Sequence, residues 1–131
     1  MDELSLFHDQ LLATKFFIPS SSHALIPRPR LIELLNMSLE CPLTLVSAPA
    51  GFGKTTLLST WVMSLPPEHP RIAWVSLDEG DNEPVLFWMY VLTALDSQQP
   101  GLCTQLVTYL QTQQTPPLRS VLQALINRRS W

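Results

Sequence analysis

Apolar positions along the chain fall into short runs separated by proline, glycine and acidic turns. Leu31, Leu34 and Leu35 recur at i, i+3 and i+4, which predicts a short helix over 30–39, stopped by Pro42. The run Leu43–Ser47 (LTLVS) sits between prolines and reads as a buried parallel strand. Gly51 and Gly53 then break the pattern, and Leu57, Leu58, Trp61, Val62 and Leu65 mark one broad face of a helix over 54–65. Pro66 and Pro67 end it. A second strand is expected over 71–77 (RIAWVSL), followed by the acidic turn DEGDNE. Asp81 or Asn82 is placed to cap the next helix, which starts at Pro84, runs to about Asp96 and is apolar nearly all round. Two weaker helices fit 102–111 and 118–129, the last with Val121, Leu122, Leu125 and Ile126 facing inward. Trp61, Trp74 and Trp88 each fall inside an apolar element and read as core rather than as ligand-stacking groups.

At 131 residues the chain has the length of one ordinary domain. Residues 1–40 form an opening arm and short helix, with Pro19, Ser20, Ser21, Ser22, Pro27 and Pro29 marking it as loop-rich. Charged residues make up only 15%, the net charge is −3, and only Arg128 and Arg129 are adjacent among the basic residues. A nucleic-acid surface needs clustered Lys and Arg, so direct nucleic-acid contact from this chain is not expected. Arg128 and Arg129 read as a solvated helix end. Cys41 and Cys103 stand in no metal or disulfide spacing and read as buried or half-buried thiols of a reducing compartment. His8, His23 and His69 have no partners at ligand spacing. The N-terminus lacks the basic start and apolar run of a signal peptide, and the longest apolar run, 84–95, is shorter than the roughly 20 residues a bilayer needs. These features together read as a cytoplasmic chain without membrane contact.

The candidate chemistry lies in SAPAGFGKTTL, residues 47–57. From Ala48 the chain follows the Walker A pattern, with Ala48 in place of the first glycine, then Pro49, Ala50, Gly51 and Phe52, then Gly53, Lys54, Thr55 and Thr56. Such a loop wraps an anion, so glycines at 51 and 53 remove side chains and permit positive φ. Successive backbone N–H groups converge on phosphate oxygens, and the helix beginning near Lys54 adds its unpaired N–H groups and dipole. Lys54 supplies a mobile positive charge. Thr55 offers a hydroxyl to a Mg²⁺ held mainly by the nucleotide. The expected ligands are ATP or ADP with Mg²⁺, cradled by residues 48–56. The expected fold class is α/β: an incomplete P-loop NTPase with a parallel strand–loop–helix core of about two strands and three to four helices.

The loop combined with WVSLDEGDNEPVLFWMYVLTAL, and with Thr14-Lys15-Phe16, Pro19 and Pro27-Arg28-Pro29-Arg30-Leu31 before it, resembles the MalT-like, LuxR-type ATP-dependent transcriptional regulators, a class of signal-transduction P-loop NTPases. The resemblance runs from about Leu12 to Trp131. It implies that 41–131 is the front half of the family's nucleotide domain, ending before the Walker B strand, and that Asp78 and Glu79 close the strand preceding Walker B. It further implies that the segment before the first strand lies near the adenine, which puts Arg28 or Arg30 within reach of the nucleotide; the other reading of both is a solvated arginine at the start of a helix. In that family nucleotide and inducer drive self-association, and DNA is bound through a C-terminal helix-turn-helix outside this stretch. Nucleotide binding without hydrolysis is therefore the expected activity. Two rivals remain: a compact P-loop kinase or ATPase using Asp78 or Glu79 for its metal, and a non-catalytic interaction module whose loop has lost nucleotide. The family's strand order, which the resemblance implies, would leave the two expected strands without a neighbour between them, which makes the isolated polypeptide marginal or prone to aggregate unless the two strands pair directly or a partner fills the gap.

Overall fold

A computed structural model describes residues 11–20, 26–112 and 118–127. Expectations for His8, His23, Ser21, Ser22, Arg128 and Arg129 lie outside the described residues. The described elements are α1 (Pro29–Ser38), α2 (Lys54–Ser64), α3 (Pro84–Gln98), α4 (Thr104–Thr112) and α5 (Leu118–Asn127), with 3-10 turns at Ala13–Phe16 and Glu79–Asn82. The chain divides into two compact units, Met1–Phe17 with Arg71–Trp131, and Ile18–Pro70.

The α/β expectation is overturned. Among the described residues there is no strand and no sheet, and the architecture is helical. Both runs expected as parallel strands, 43–47 and 71–77, pass without turn or bend but join no ladder. An apolar run becomes a strand only by exchanging hydrogen bonds with a neighbour, and sequence period reports the apolar character, not the neighbour. For 43–47 no neighbour is supplied, and Leu43 and Leu45 are each 85% exposed. The second run is covered on one side. Ser76 N–H donates to the carbonyl of Lys15 at 2.8 Å, and Val75 packs on the core of its unit.

The unit formed by Met1–Phe17 and Arg71–Trp131 holds the apolar core. α3 contributes Met89, Tyr90 and Leu92, α4 contributes Leu106 and Leu110 at i, i+4, and Leu11, Cys103 and Val121 close it. An all-round apolar helix needs cover on several sides. Here α3 has α4, the 3-10 turn Glu79–Asn82 and the residue 11–16 segment against it. Ile126, expected to face inward with Val121, is 61% exposed. At 3.6 residues per turn it lies about 140° round α5 from Val121, whereas Ala124 and Leu125 stay on the packed side.

The cap of α3 also differs from expectation. Glu83 rather than Asp81 or Asn82 is the N-cap, and its carboxylate accepts from the N–H groups of Val85 at 3.1 Å and Leu86 at 2.7 Å. Asp81 is committed elsewhere, in a capping box with Asp78 across the 3-10 turn. Asp78 and Glu79, expected to close a strand, instead stand at the N-cap and first position of that 3-10 turn, with no strand before them among the described residues.

The unit Ile18–Pro70 is thinner. α1 packs on α2, with Leu35 and Ser59 the buried residues described there, while Leu57, Leu58, Trp61, Val62 and Leu65 are only half-buried. Leu34, expected on the inner face of α1, is exposed. Trp61 Nε1 donates to Asn36 Oδ1 at 2.9 Å, tying the helices at their rim instead of filling a core. Trp74 is likewise half-buried, its Nε1 donating to Ser76 Oγ at 3.0 Å, and Trp88 packs half-buried against the core of the other unit. Cys41 is exposed and Cys103 buried, and neither is in a disulfide.

Candidate phosphate-binding site

The loop and the start of α2 lie wholly in the unit Ile18–Pro70. Its turn is closed by Phe52 N–H donating to the Pro49 carbonyl at 3.3 Å. Gly51, third residue of that turn, has φ +84°, the positive value a type II turn requires there. Gly53 has φ +79° and is the N-cap of α2, and its carbonyl accepts the first helical bond, from Leu57 N–H at 2.9 Å. A Cβ at either glycine would meet nothing within 4 Å. The glycines are therefore needed for backbone sign, and the space beside them is open.

Gly53 has no side chain to cap the helix, and among the described residues nothing accepts from the N–H groups of Lys54, Thr55 and Thr56. The first turn of an α-helix always leaves such donors unpaired, and they carry the positive end of its dipole. Lys54 folds back over the loop. Its ammonium donates to the carbonyl of Ala48 and, at 3.1 Å, to that of Pro49. Within the helix, Ser59 Oγ and Thr60 Oγ1 donate back to the carbonyls of Thr55 and Thr56, each at 2.8 Å. Ala50, Phe52 and Thr55 are exposed, and Ala48, Gly53, Lys54 and Thr56 half-buried.

A cavity of about 370 Å³ adjoins the loop. Its walls are Ile26, Pro27, Arg28 and Ile32 on one side and Gly53, Thr56, Leu57 and Thr60 on the other. Arg28, N-cap of α1, also reaches the loop, with its guanidinium 3.5 Å from the Phe52 carbonyl oxygen. Arg30 is exposed in the first turn of α1 and does not line the cavity. The expected loop residues are thus brought together with Arg28.

Asp78 and Glu79 belong to the other unit. The Asp78 carboxylate accepts from Lys15 Nζ at 2.9 Å and from Gly80 N–H at 2.8 Å. Lys15 also pairs with Asp81, and its ammonium lies 5.0 Å from the Tyr90 ring centroid. The hydrogen bond that Lys15 donates to Asp81 leads in raising the Lys15 pKa, against an opposing effect of burial. The hydrogen bond from Lys15, then that from Gly80, holds the Asp78 carboxyl below its ordinary range. With Leu12 N–H donating to Tyr90 Oη at 3.1 Å, this cluster clasps the opening arm to α3. Sequence reasoning missed Lys15. The available signal was a single cation among Leu11, Leu12, Phe16 and Phe17, in a chain whose acidic turn DEGDNE carries four acids. Among the described residues no group of His, Cys, Asp and Glu is placed to hold a metal ion.

Comparison with known proteins decides the relationship. The HTH-type transcriptional regulator MalT of Cronobacter sakazakii is 33% identical over 122 residues, 92% of this chain and 13% of that protein. MalT of Vibrio cholerae is 31% identical and MalT of Vibrio parahaemolyticus 32%, each over 110 residues, 84% of this chain and 12% of theirs. The chain is MalT-like. It spans about an eighth of the length of these curated relatives. No family model and no solved structure matches it. The matched stretch includes most of the MalT-like chain and so reaches both units. Among the described residues no helix is long and apolar enough to cross a membrane.

Proposed function

We propose that the MalT-like chain is a nucleotide-binding segment of a transcriptional regulator, holding the phosphates of ATP or ADP in the loop 48–56. The observation that carries this reading is the meeting, at one loop, of three unpaired N–H groups, two positive-φ glycines and the Lys54 ammonium. Those are the donors a phosphate chain needs, in the absence of any acid in the loop. Bound Mg²⁺ would neutralise phosphate charge, with the exposed Thr55 hydroxyl the protein group offered to it. The adjoining cavity, largely apolar and bordered by Arg28, has room for the base and ribose of the nucleotide.

Binding without turnover is the activity proposed. Asp78, the carboxylate a kinase or ATPase would recruit, is engaged by Lys15 and Gly80 in the turn. Affinity is expected to be weak, because Lys54 must leave the carbonyls of Ala48 and Pro49 to meet a phosphate. Self-association and promoter binding, in this proposal, belong to other parts of a MalT-type regulator acting in the cytoplasm. A titration with a fluorescent adenine nucleotide, alongside a phosphate-release assay, tests the reading. Saturable binding that Lys54→Ala removes, with no phosphate released, supports it. Binding unaffected by Lys54→Ala would favour the interaction-module alternative, and phosphate release abolished by Asp78→Ala would favour the kinase or ATPase.

A further inference from the structure

One face of α2 runs from the loop into the adjoining cavity. Gly53, Thr56, Leu57 and Thr60 line that cavity at i, i+3, i+4 and i+7, the spacing of a single helical face. Arg28, Thr56 and Thr60 are the polar side chains of the lining among the described residues. Arg28 lies at the loop end, its guanidinium 3.5 Å from the Phe52 carbonyl oxygen. Thr56 stands in the first turn of α2, beside the unpaired N–H groups. Thr60, farther from the loop, stands about 10 Å along α2 from Gly53. Its hydroxyl has one hydrogen, and that hydrogen is already committed. Thr60 Oγ1 lies 2.8 Å from the Thr56 carbonyl oxygen. A carbonyl can only accept, so the hydroxyl donates to it and keeps its lone pairs for another group. Half-buried at the cavity wall, the Thr60 side chain therefore offers an acceptor and no donor.

Resting on the reading that residues 48–56 hold a nucleotide's phosphates, we infer that Thr60 reads the base, its Oγ1 accepting a hydrogen bond from the exocyclic amine of adenine. Phosphates seated at the first turn of α2 leave the ribose and base to follow the cavity along the helix. The amine lies on the ring edge remote from the sugar, so it is the part of the base that reaches farthest from the loop. Ile32 and Leu57, on opposite walls, supply apolar contact for the ring. The amine presents N–H donors and meets an acceptor. A base with a carbonyl oxygen in its place would set lone pair against lone pair, unless the Thr60 proton left the Thr56 carbonyl. One neutral hydrogen bond is at stake, so the preference is modest, about two- to tenfold in affinity.

The test is a competitive titration of the 131-residue chain against ribose-labelled fluorescent ADP. The competitors are Mg-ADP and the Mg-diphosphate of purine riboside, whose base carries hydrogen in place of the amine. The parent is expected to bind ADP tighter by that two- to tenfold margin. Thr60→Val keeps the shape and the main-chain helical bond but removes the acceptor, so the ratio falls to about one, through loss of ADP affinity alone. Thr60→Ser keeps the acceptor and the preference. Far-UV circular dichroism reports whether each variant retains its helices, and where Thr60→Val does not, the parent and Thr60→Ser carry the test. Equal affinities in the parent overturn the inference and leave the loop reading in place. So does a preference that survives Thr60→Val or is lost in Thr60→Ser, or a loss in Thr60→Val that falls equally on both ligands. Binding of neither ligand, or binding of both undiminished by Lys54→Ala, instead overturns the loop reading and this inference with it.

Discussion

Replacing Leu92, Leu43 and Leu45 one at a time by alanine separates the helical architecture from a sheet-based one. Leu92 lies on α3 with no exposed surface, inside the core built by α3, α4 and Val121. Truncating a leucine so enclosed removes its transfer free energy and leaves a cavity, a loss of roughly 3–5 kcal/mol. Leu43 and Leu45, each 85% exposed, have almost no burial to lose, so alanine there changes stability by no more than about 0.5 kcal/mol. Had 43–47 been a strand in a covered parallel sheet, each would cost about 2–5 kcal/mol instead. Native-state hydrogen exchange reads α2 and α3 separately, and so registers either unit without assuming joint unfolding. The helical account is refuted if Leu43→Ala or Leu45→Ala lowers the protection of α2 amides by as much as Leu92→Ala lowers that of α3.

Further outcomes follow from the loop and the arm. Gly53→Ala meets no atom within 4 Å but forces a side chain into left-handed backbone, so it destabilises the start of α2 by about 1–2 kcal/mol, seen as faster exchange there. An unchanged exchange rate would mean the positive φ is not held in solution. Asp81→Asn releases the buried ammonium of Lys15 and loosens the arm, read as faster exchange of Ser76 N–H, which the Lys15 carbonyl accepts. Protection at Ser76 also depends on pH at both ends. Lys15 has its pKa raised, so its contribution is fully present below its ordinary 10.5 and is lost as pH rises through the raised value. Asp78 has its pKa lowered, so its contribution is present above its ordinary 3.8 and is lost as pH falls through the lowered value. After correction for intrinsic exchange rates, a flat profile across both limits would exclude the clasp.

Helices were legible where apolar spacing was strong. The apolar run from Val85 to Leu92 reads as a helix from its length and its flanking turn, and the structure places it at the centre of the core. Its cap was not legible, because Asp81, Asn82 and Glu83 are all competent and the choice follows from Asp81 being engaged by Lys15 and Asp78. LTLVS reads as a strand on composition alone, and nothing in five residues tells whether a ladder partner exists. The Lys15 clasp joins positions more than sixty residues apart, so no local window could contain it. In the candidate site, the sequence motif picked out the positions at which glycine alone takes positive φ easily, Gly51 and Gly53. It did not disclose that Lys54 rests on the carbonyls of Ala48 and Pro49, an arrangement local in sequence but set by how far its side chain folds back.

The proposal that the loop holds phosphate is tested most directly by following the backbone amide resonances of residues 48–56 while Mg-ADP is added to the chain. The account predicts saturable shifts concentrated at Gly51, Gly53, Lys54, Thr55 and Thr56, with smaller ones at Ile32 and Leu57 beside the cavity, and none at those amides in Lys54→Ala. Amides from Gly51 to Thr56 that stay still at millimolar nucleotide would contradict it.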